Sequence, residues 1–237
     1  MAVKEIVLKG PAGRLEGRYF KAADKNAPVA VIFHPHPVHG GTMNNKVVYT
    51  MFHAFAEAGF TVLRFNFRGV GKSTGDYDKG IGELADAAAA LDWLQLHHPE
   101  AKSCWIAGFS FGAWITMQLL MRRPEVSGFI AVSPPANLYD FTFLSPCPLQ
   151  GLIIQGTKDK IVTEESVYDL YERLSKQRNA DVDYCPINNA GHFFKEQLDE
   201  LKAIITDYVV PRMDDEQVAK NKSAKRKAAP VALKEVI

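Results

Sequence analysis

Three side chains, in a fixed order along the chain, could together open a carbonyl group. Gly108-Phe109-Ser110-Phe111-Gly112 is a G-x-S-x-G pentapeptide set between an apolar run, CWIA, and a second one with the look of a helix, AWITMQLLM. A serine between a buried strand and a helix is thrust out on a strained turn, and glycines two residues to either side admit neighbouring backbone where a side chain would collide. The same turn puts Ser110 at a helix N-terminus, whose free N–H groups and dipole favour negative charge developing on a substrate. A serine hydroxyl is a weak nucleophile, so it needs a base, and the base needs an acid to hold its tautomer. Asp159 follows the apolar run GLIIQG. His192 follows Cys185-Pro186-Ile187 through Asn188-Asn189-Ala190-Gly191. Each falls on a loop after a strand, at the carboxyl end of a parallel sheet, where open α/β folds keep their sites. Ser110, Asp159 and His192 are therefore the expected nucleophile, acid and base. Asp140 precedes the strand that should carry the acid, and Asp181 and Asp183 lie at the wrong end of the strand leading to His192.

The loop after Val29 to Phe33 should complete the site with donors for an oxyanion. One donor is expected from the backbone N–H of Phe111, the residue after the nucleophile. Pro35 and Pro37 have no N–H to give. His36, between them, is the expected second donor, and its ring is left free for other work. His34, His36 and His39 also form an H-x-H-x2-H pattern that zinc could use. No second cluster of ligands lies near it and the prolines restrict how the rings could converge, so neither a metal nor any other cofactor is expected. Phe67 to Ser73, FRGVGKS, ends in Gly-Lys-Ser but lacks the spacing of a phosphate loop, and Arg68 reads as a structural residue pinning loops around the site.

These residues need a scaffold. Glu5 to Phe20 alternates around Gly10, Pro11 and Gly13, which predicts an antiparallel pair of strands at a sheet edge. Val29–Phe33, Thr61–Phe67, Cys104–Ala107, Gly128–Val132 and Gly151–Ile154 are short apolar runs of the kind buried on both faces. Between them, Leu84, Ala87, Ala88, Leu91 and Leu94 recur with helical spacing, as do Val167, Leu170, Tyr171 and Leu174, then Leu198, Leu201, Ile205 and Tyr208. Asn44 or Asn45 is expected to cap a helix running to Gly59, and Thr163 to cap one opened by Glu164 and Glu165. Alternating strands and helices predict a twisted, mostly parallel sheet of about eight strands covered on both faces.

From about Glu5 to Arg212 the chain resembles the α/β-hydrolase superfamily. More narrowly it resembles small lidless bacterial serine hydrolases related to dienelactone hydrolases, through His34-Pro35-His36-Pro37 with Gly40-Gly41 and Met43-Asn44, Phe67-Arg68-Gly69-Val70-Gly71-Lys72-Ser73, and the Gly108 to Gly112 pentapeptide. The resemblance implies a serine esterase or thioesterase. Dienelactone hydrolases proper use cysteine where Ser110 stands, so their substrate does not carry over. From Ala136 to Pro148 there are 13 residues, too few for a helical lid. Leu138, Tyr139, Phe141 and Phe143 in that link, together with Val38, are expected either to line an open acyl pocket or simply to cover the core. The expected substrate is an ester or thioester of a small to medium apolar acyl group. A binding or partner-docking protein on a hydrolase scaffold is the alternative, since a fold does not fix a function.

Composition narrows the field further. The 237 residues are 47% hydrophobic and 23% charged, with 28 Lys plus Arg against 27 Asp plus Glu, a globular balance with no global charge to attract nucleic acid. Ser103 to Met121 carries no charge, but Gly108, Ser110, Gly112, Thr116 and Gln118 interrupt it, so no membrane span is expected. Cys104, Cys147 and Cys185 are scattered and odd in number, which suits a reducing compartment. Lys4, Glu5 and Lys9 stand where a signal peptide would be apolar, so the expected location is the cytoplasm. The hydrolase domain is expected over 1–213, with 214–237 a basic, solvated tail. The oligomeric state is not legible.

Overall fold

Every residue of VAVIF, TVLRF and GFIAV is buried, as central strands with helices on both faces require. In the computed structural model, which describes residues 1–144, 150–178 and 181–213, these runs are β3 (Val29–Phe33), β4 (Thr61–Phe65) and β6 (Gly128–Val132). They join β1 (Val3–Gly10), β2 (Gly13–Phe20), β5 (Cys104–Phe109), β7 (Gln150–Gly156) and β8 (Asp181–Ile187) in one eight-stranded sheet of order β1-β2-β4-β3-β5-β6-β7-β8. β2 runs antiparallel to β1 and β4, and every other pairing is parallel. This is the α/β-hydrolase fold.

The pleat sorts the core into two halves. Val29, Val31 and Phe33 face the side covered by α2 (Ile81–His97), α3 (Phe111–Leu120) and α4 (Glu164–Ser175), while Ala30 and Ile32 face α1 (Lys46–Glu57) and α5 (Leu198–Val209). Asn45 caps α1, its Oδ1 accepting from the Val47 N–H at 2.9 Å. Thr163 occupies the cap position of α4 but makes no side-chain cap bond, leaving Glu164 and Glu165 in the first turn to face the dipole. β4 ends two residues short of the expected Phe67. Asn66 turns its side chain to the Met43 N–H and to Glu16, and the Phe67 N–H goes to a histidine ring instead of a strand.

No lid is inserted among the described residues, and no helix among them is long and apolar enough to cross a membrane. The expected tail, 214–237, lies outside the described residues, as do positions 145–148 of the link expected to line the pocket.

Candidate active site

The turn from β5 into α3 is built around an absent side chain on each side of Ser110. A Cβ on Gly108 would stand 2.1 Å from the Gly112 carbonyl oxygen, and one on Gly112 would stand 2.3 Å from that of Phe33. Those contacts let the strand, the helix and the end of β3 meet through their main chains. Ser110 is held at φ 55° and ψ −119°, a strained setting for a residue with a Cβ. Its own N–H is tied to the Val132 carbonyl at 2.8 Å and its carbonyl takes the N–H groups of Ala113 and Trp114. The amides of Phe111 and Gly112 open α3, where a helix has no internal acceptor for them.

Two neighbouring loops bring Asp159 and His192 together. The Thr157 N–H binds the Ile187 carbonyl and the Lys158 N–H binds that of Ala190, so the loop leaving β7 is laced to the loop leaving β8. Gly156 permits the approach, since a Cβ there would lie 2.4 Å from the Ala190 oxygen. His192 Nδ1 donates to Asp159 Oδ2 at 2.7 Å, and both side chains are buried. The other carboxylate oxygen, Oδ1, accepts from the N–H groups of Ile161 at 2.8 Å and Val162 at 2.9 Å, while Gln155 Nε2 stands 3.4 Å from Oδ2. Burial pushes the Asp159 carboxyl upward, but the bonds from His192, Val162 and Ile161 outweigh it and hold the group below its ordinary value. An ionised carboxylate on Nδ1 fixes the tautomer with Nε2 unprotonated and available as a base. Of the other acids, Asp140 accepts from Thr142, and Asp183 lies 3.5 Å from Arg212 at the far end of β8.

The three histidines after β3 do three different things. His34 is fully buried, with Nδ1 donating to the Pro35 carbonyl at 2.6 Å and Nε2 accepting from the Phe67 N–H at 3.0 Å. Burial pushes its pKa down to about 4, against the Pro35 bond. Both nitrogens are spent on backbone, so His34 offers no lone pair to a metal. His36 is not free for other work, as its sequence position suggests: Nδ1 accepts from the Val38 N–H at 3.2 Å and Nε2 meets the Tyr77 hydroxyl at 3.2 Å. His39 is exposed, its ring tilted at 48° to that of His36 with centroids 4.5 Å apart. Arg68 does pin a loop: its guanidinium grips buried Asp86 through Nε at 2.9 Å and Nη2 at 2.7 Å.

Ser110 and His192 open onto one cleft of about 500 Å³, with His36 and Phe111 also on its wall. Leu138 and Tyr139 of the link line it. Val38, Phe141 and Phe143 do not. Val38 points to solvent from a 3₁₀ turn, 64% exposed. Phe141 is buried in the α2–α3 half of the core, and Phe143 packs on the same cluster, stacked on Phe141. Ile161, Phe193 and Pro135, not foreseen from the sequence, also line the cleft. For two of them adjacency is the signal, since Ile161 is two residues past Asp159 and Phe193 one past His192.

Fold and cleft together define an α/β hydrolase. The family model described as X-Pro dipeptidyl-peptidase (S15 family) matches residues 19–148, and the chain belongs to this family of α/β serine hydrolases. A solved protein of unknown function from Agrobacterium tumefaciens, assigned to the α/β hydrolases, is 54% identical with a TM-score of 0.85, over 88% of this chain and 96% of that one. An α/β serine hydrolase homologue from Coxiella burnetii is 36% identical with a TM-score of 0.78, over 88% and 98%. A member of the α/β serine hydrolases without lid from Xanthomonas campestris is 34% identical with a TM-score of 0.79, over 88% and 94%. The chain thus belongs with the α/β serine hydrolases, and no lid is inserted among its described residues.

Proposed function

We propose that the protein hydrolyses carboxylic esters or thioesters of small to medium apolar acyl groups through an acyl-enzyme. The observation that carries this reading is the 2.7 Å bond from His192 Nδ1 to buried Asp159, made by a ring on the wall of the cleft that Ser110 also lines. Ser110 Oγ attacks the carbonyl carbon as its proton passes to His192 Nε2. The oxyanion takes the backbone N–H groups of His36 and Phe111. His192 then gives the proton to the departing alkoxide or thiolate, leaving the acyl group on Ser110, and a water deprotonated by His192 releases the acid and restores the serine. Asp159 stays ionised throughout and stabilises the imidazolium.

An ester suits the cleft better than a peptide amine. An X-Pro dipeptidyl-peptidase must hold a protonated N-terminus, a task for carboxylates, and no Asp or Glu is among the described residues lining the cleft. Leu138, Tyr139, Ile161, Phe193, Pro135 and Phe111 supply instead an apolar wall for the acyl group.

Labelling with a fluorophosphonate tests the reading. One equivalent should attach at Ser110, and Ser110→Ala should lose both the label and the hydrolysis of p-nitrophenyl butyrate with an unchanged circular dichroism spectrum. Near-normal turnover by Ser110→Ala would overturn it.

A further inference from the structure

We propose that Tyr77 is a positioning residue for the oxyanion hole, holding the His36 peptide in place through the His36 ring; this rests on the ester-hydrolase reading above. The argument starts at α2. Glu83, fully buried, accepts the N–H groups of Asp78 at 2.9 Å and Gly80 at 2.7 Å, and buried Asp86 takes both the Arg68 side chain and the Arg68 N–H. Two carboxylates on one helix therefore clamp the loop between β4 and α2 at both ends. That loop presents Tyr77 as a fixed point.

The Tyr77 hydroxyl meets His36 Nε2 at 3.2 Å. The opposite ring nitrogen, Nδ1, accepts from the Val38 N–H at 3.2 Å, which puts the proton of the neutral ring on Nε2 and makes it the donor to the Tyr77 oxygen. The ring is thus a brace between a rigid loop and the turn that follows its own peptide. His36 sits between two prolines that leave its backbone few alternatives, so fixing the ring and the Val38 amide fixes the His36 N–H. Tyr139, on the cleft wall, packs against the same Phe111 ring as Tyr77. The rings of His36, Tyr77 and Tyr139 all pack around Phe111, which carries the other oxyanion donor, at centroid distances of 5.1, 6.2 and 6.1 Å. Tyr77, with no place on the cleft wall itself, thus touches both donor residues, His36 through its hydroxyl and Phe111 through its ring.

Donors that act only on the transition state change kcat and leave KM alone. Tyr77→Phe keeps the ring packing and removes the hydroxyl. It should lower kcat on p-nitrophenyl butyrate by roughly 10-fold, a fraction of the loss from deleting an oxyanion donor outright, with KM within about twofold of wild type. A boronic acid whose adduct on Ser110 places an oxygen in the hole should bind more weakly by the same factor as kcat falls. Because the effect runs through His36, it should vanish in a His36→Ala background, where Tyr77→Phe should change nothing further. Wild-type kcat in Tyr77→Phe, a loss confined to KM, or an equal loss in the His36→Ala background would each overturn the proposal. Fluorophosphonate labelling of wild type at Ser110 separates that failure from failure of the ester-hydrolase reading.

Discussion

His34 and His192 are both buried, both on loops at the carboxyl end of the sheet, and yet suited to opposite purposes. His34 spends Nδ1 on the Pro35 carbonyl and Nε2 on the Phe67 N–H, so its ring is a strut between the ends of β3 and β4. His192 spends only Nδ1, on a carboxylate, and its ring lines the cleft. The difference lies in the partner. At His34 full burial makes a charged ring costly, and the Phe67 N–H needs Nε2 unprotonated, whereas at His192 an ionised carboxylate is the partner that would welcome an imidazolium. A buried histidine is read by what its two nitrogens touch.

The comparison breaks most visibly at His192. His192→Ala should cut kcat by about a millionfold, the scale seen when the base of a serine hydrolase is removed, with little change in thermal stability, and a stopped assay with p-nitrophenyl butyrate would show it. Asp159→Asn tests the partner and not the ring. The amide would leave Nδ1 without its anion and favour the wrong tautomer, so kcat should fall by roughly ten-thousandfold while KM moves little. If Asp183→Asn gave that loss and Asp159→Asn did not, the acid would lie elsewhere.

The smallest effect belongs to His34, and it is one of stability. Its folded pKa of about 4 lies below the ordinary value of 6.5, so between those values the unfolded chain binds the proton and the folded one does not. The contribution is complete above pH 6.5 and is lost as pH falls toward 4, an amount of about 3 kcal/mol for a fully buried ring. Urea unfolding midpoints measured across that window should drop in wild type, and the drop should be smaller by this amount in His34→Gln. Identical slopes in the two proteins would mean that the ring is not the neutral strut described.

Much of this was legible because it is local. A strand-turn-serine-helix sequence, a carboxylate after GLIIQG and a histidine before the last helix each announce themselves within about ten residues, and the buried strands announce themselves by unbroken apolar runs. The fold follows from their alternation. What escaped depends on contacts distant in sequence. Phe141 and Phe143 sit in an irregular link without periodicity, so nothing in their spacing says that they turn to the core while Leu138 and Tyr139 turn to the cleft. Val38 lies in a turn capped by the His36 ring, a contact that its spacing in the sequence does not announce. Tyr77 reaches His36 across 41 positions, and only the clamp of Glu83 and Asp86 on its loop brings it there.

Gly108 and Gly112 make the setting of Ser110 a meeting of main chains, with the oxygens of Phe33 and Gly112 standing where methyl groups would go. Main-chain atoms are common to every residue and do not mutate. The setting of the serine is therefore insulated from substitution in the side chains around it, whereas the cleft wall consists of replaceable side chains such as Leu138, Ile161 and Phe193. In descent from a common ancestor such a chain can change what it accepts while keeping how it reacts, and the two glycines are the positions at which that freedom ends.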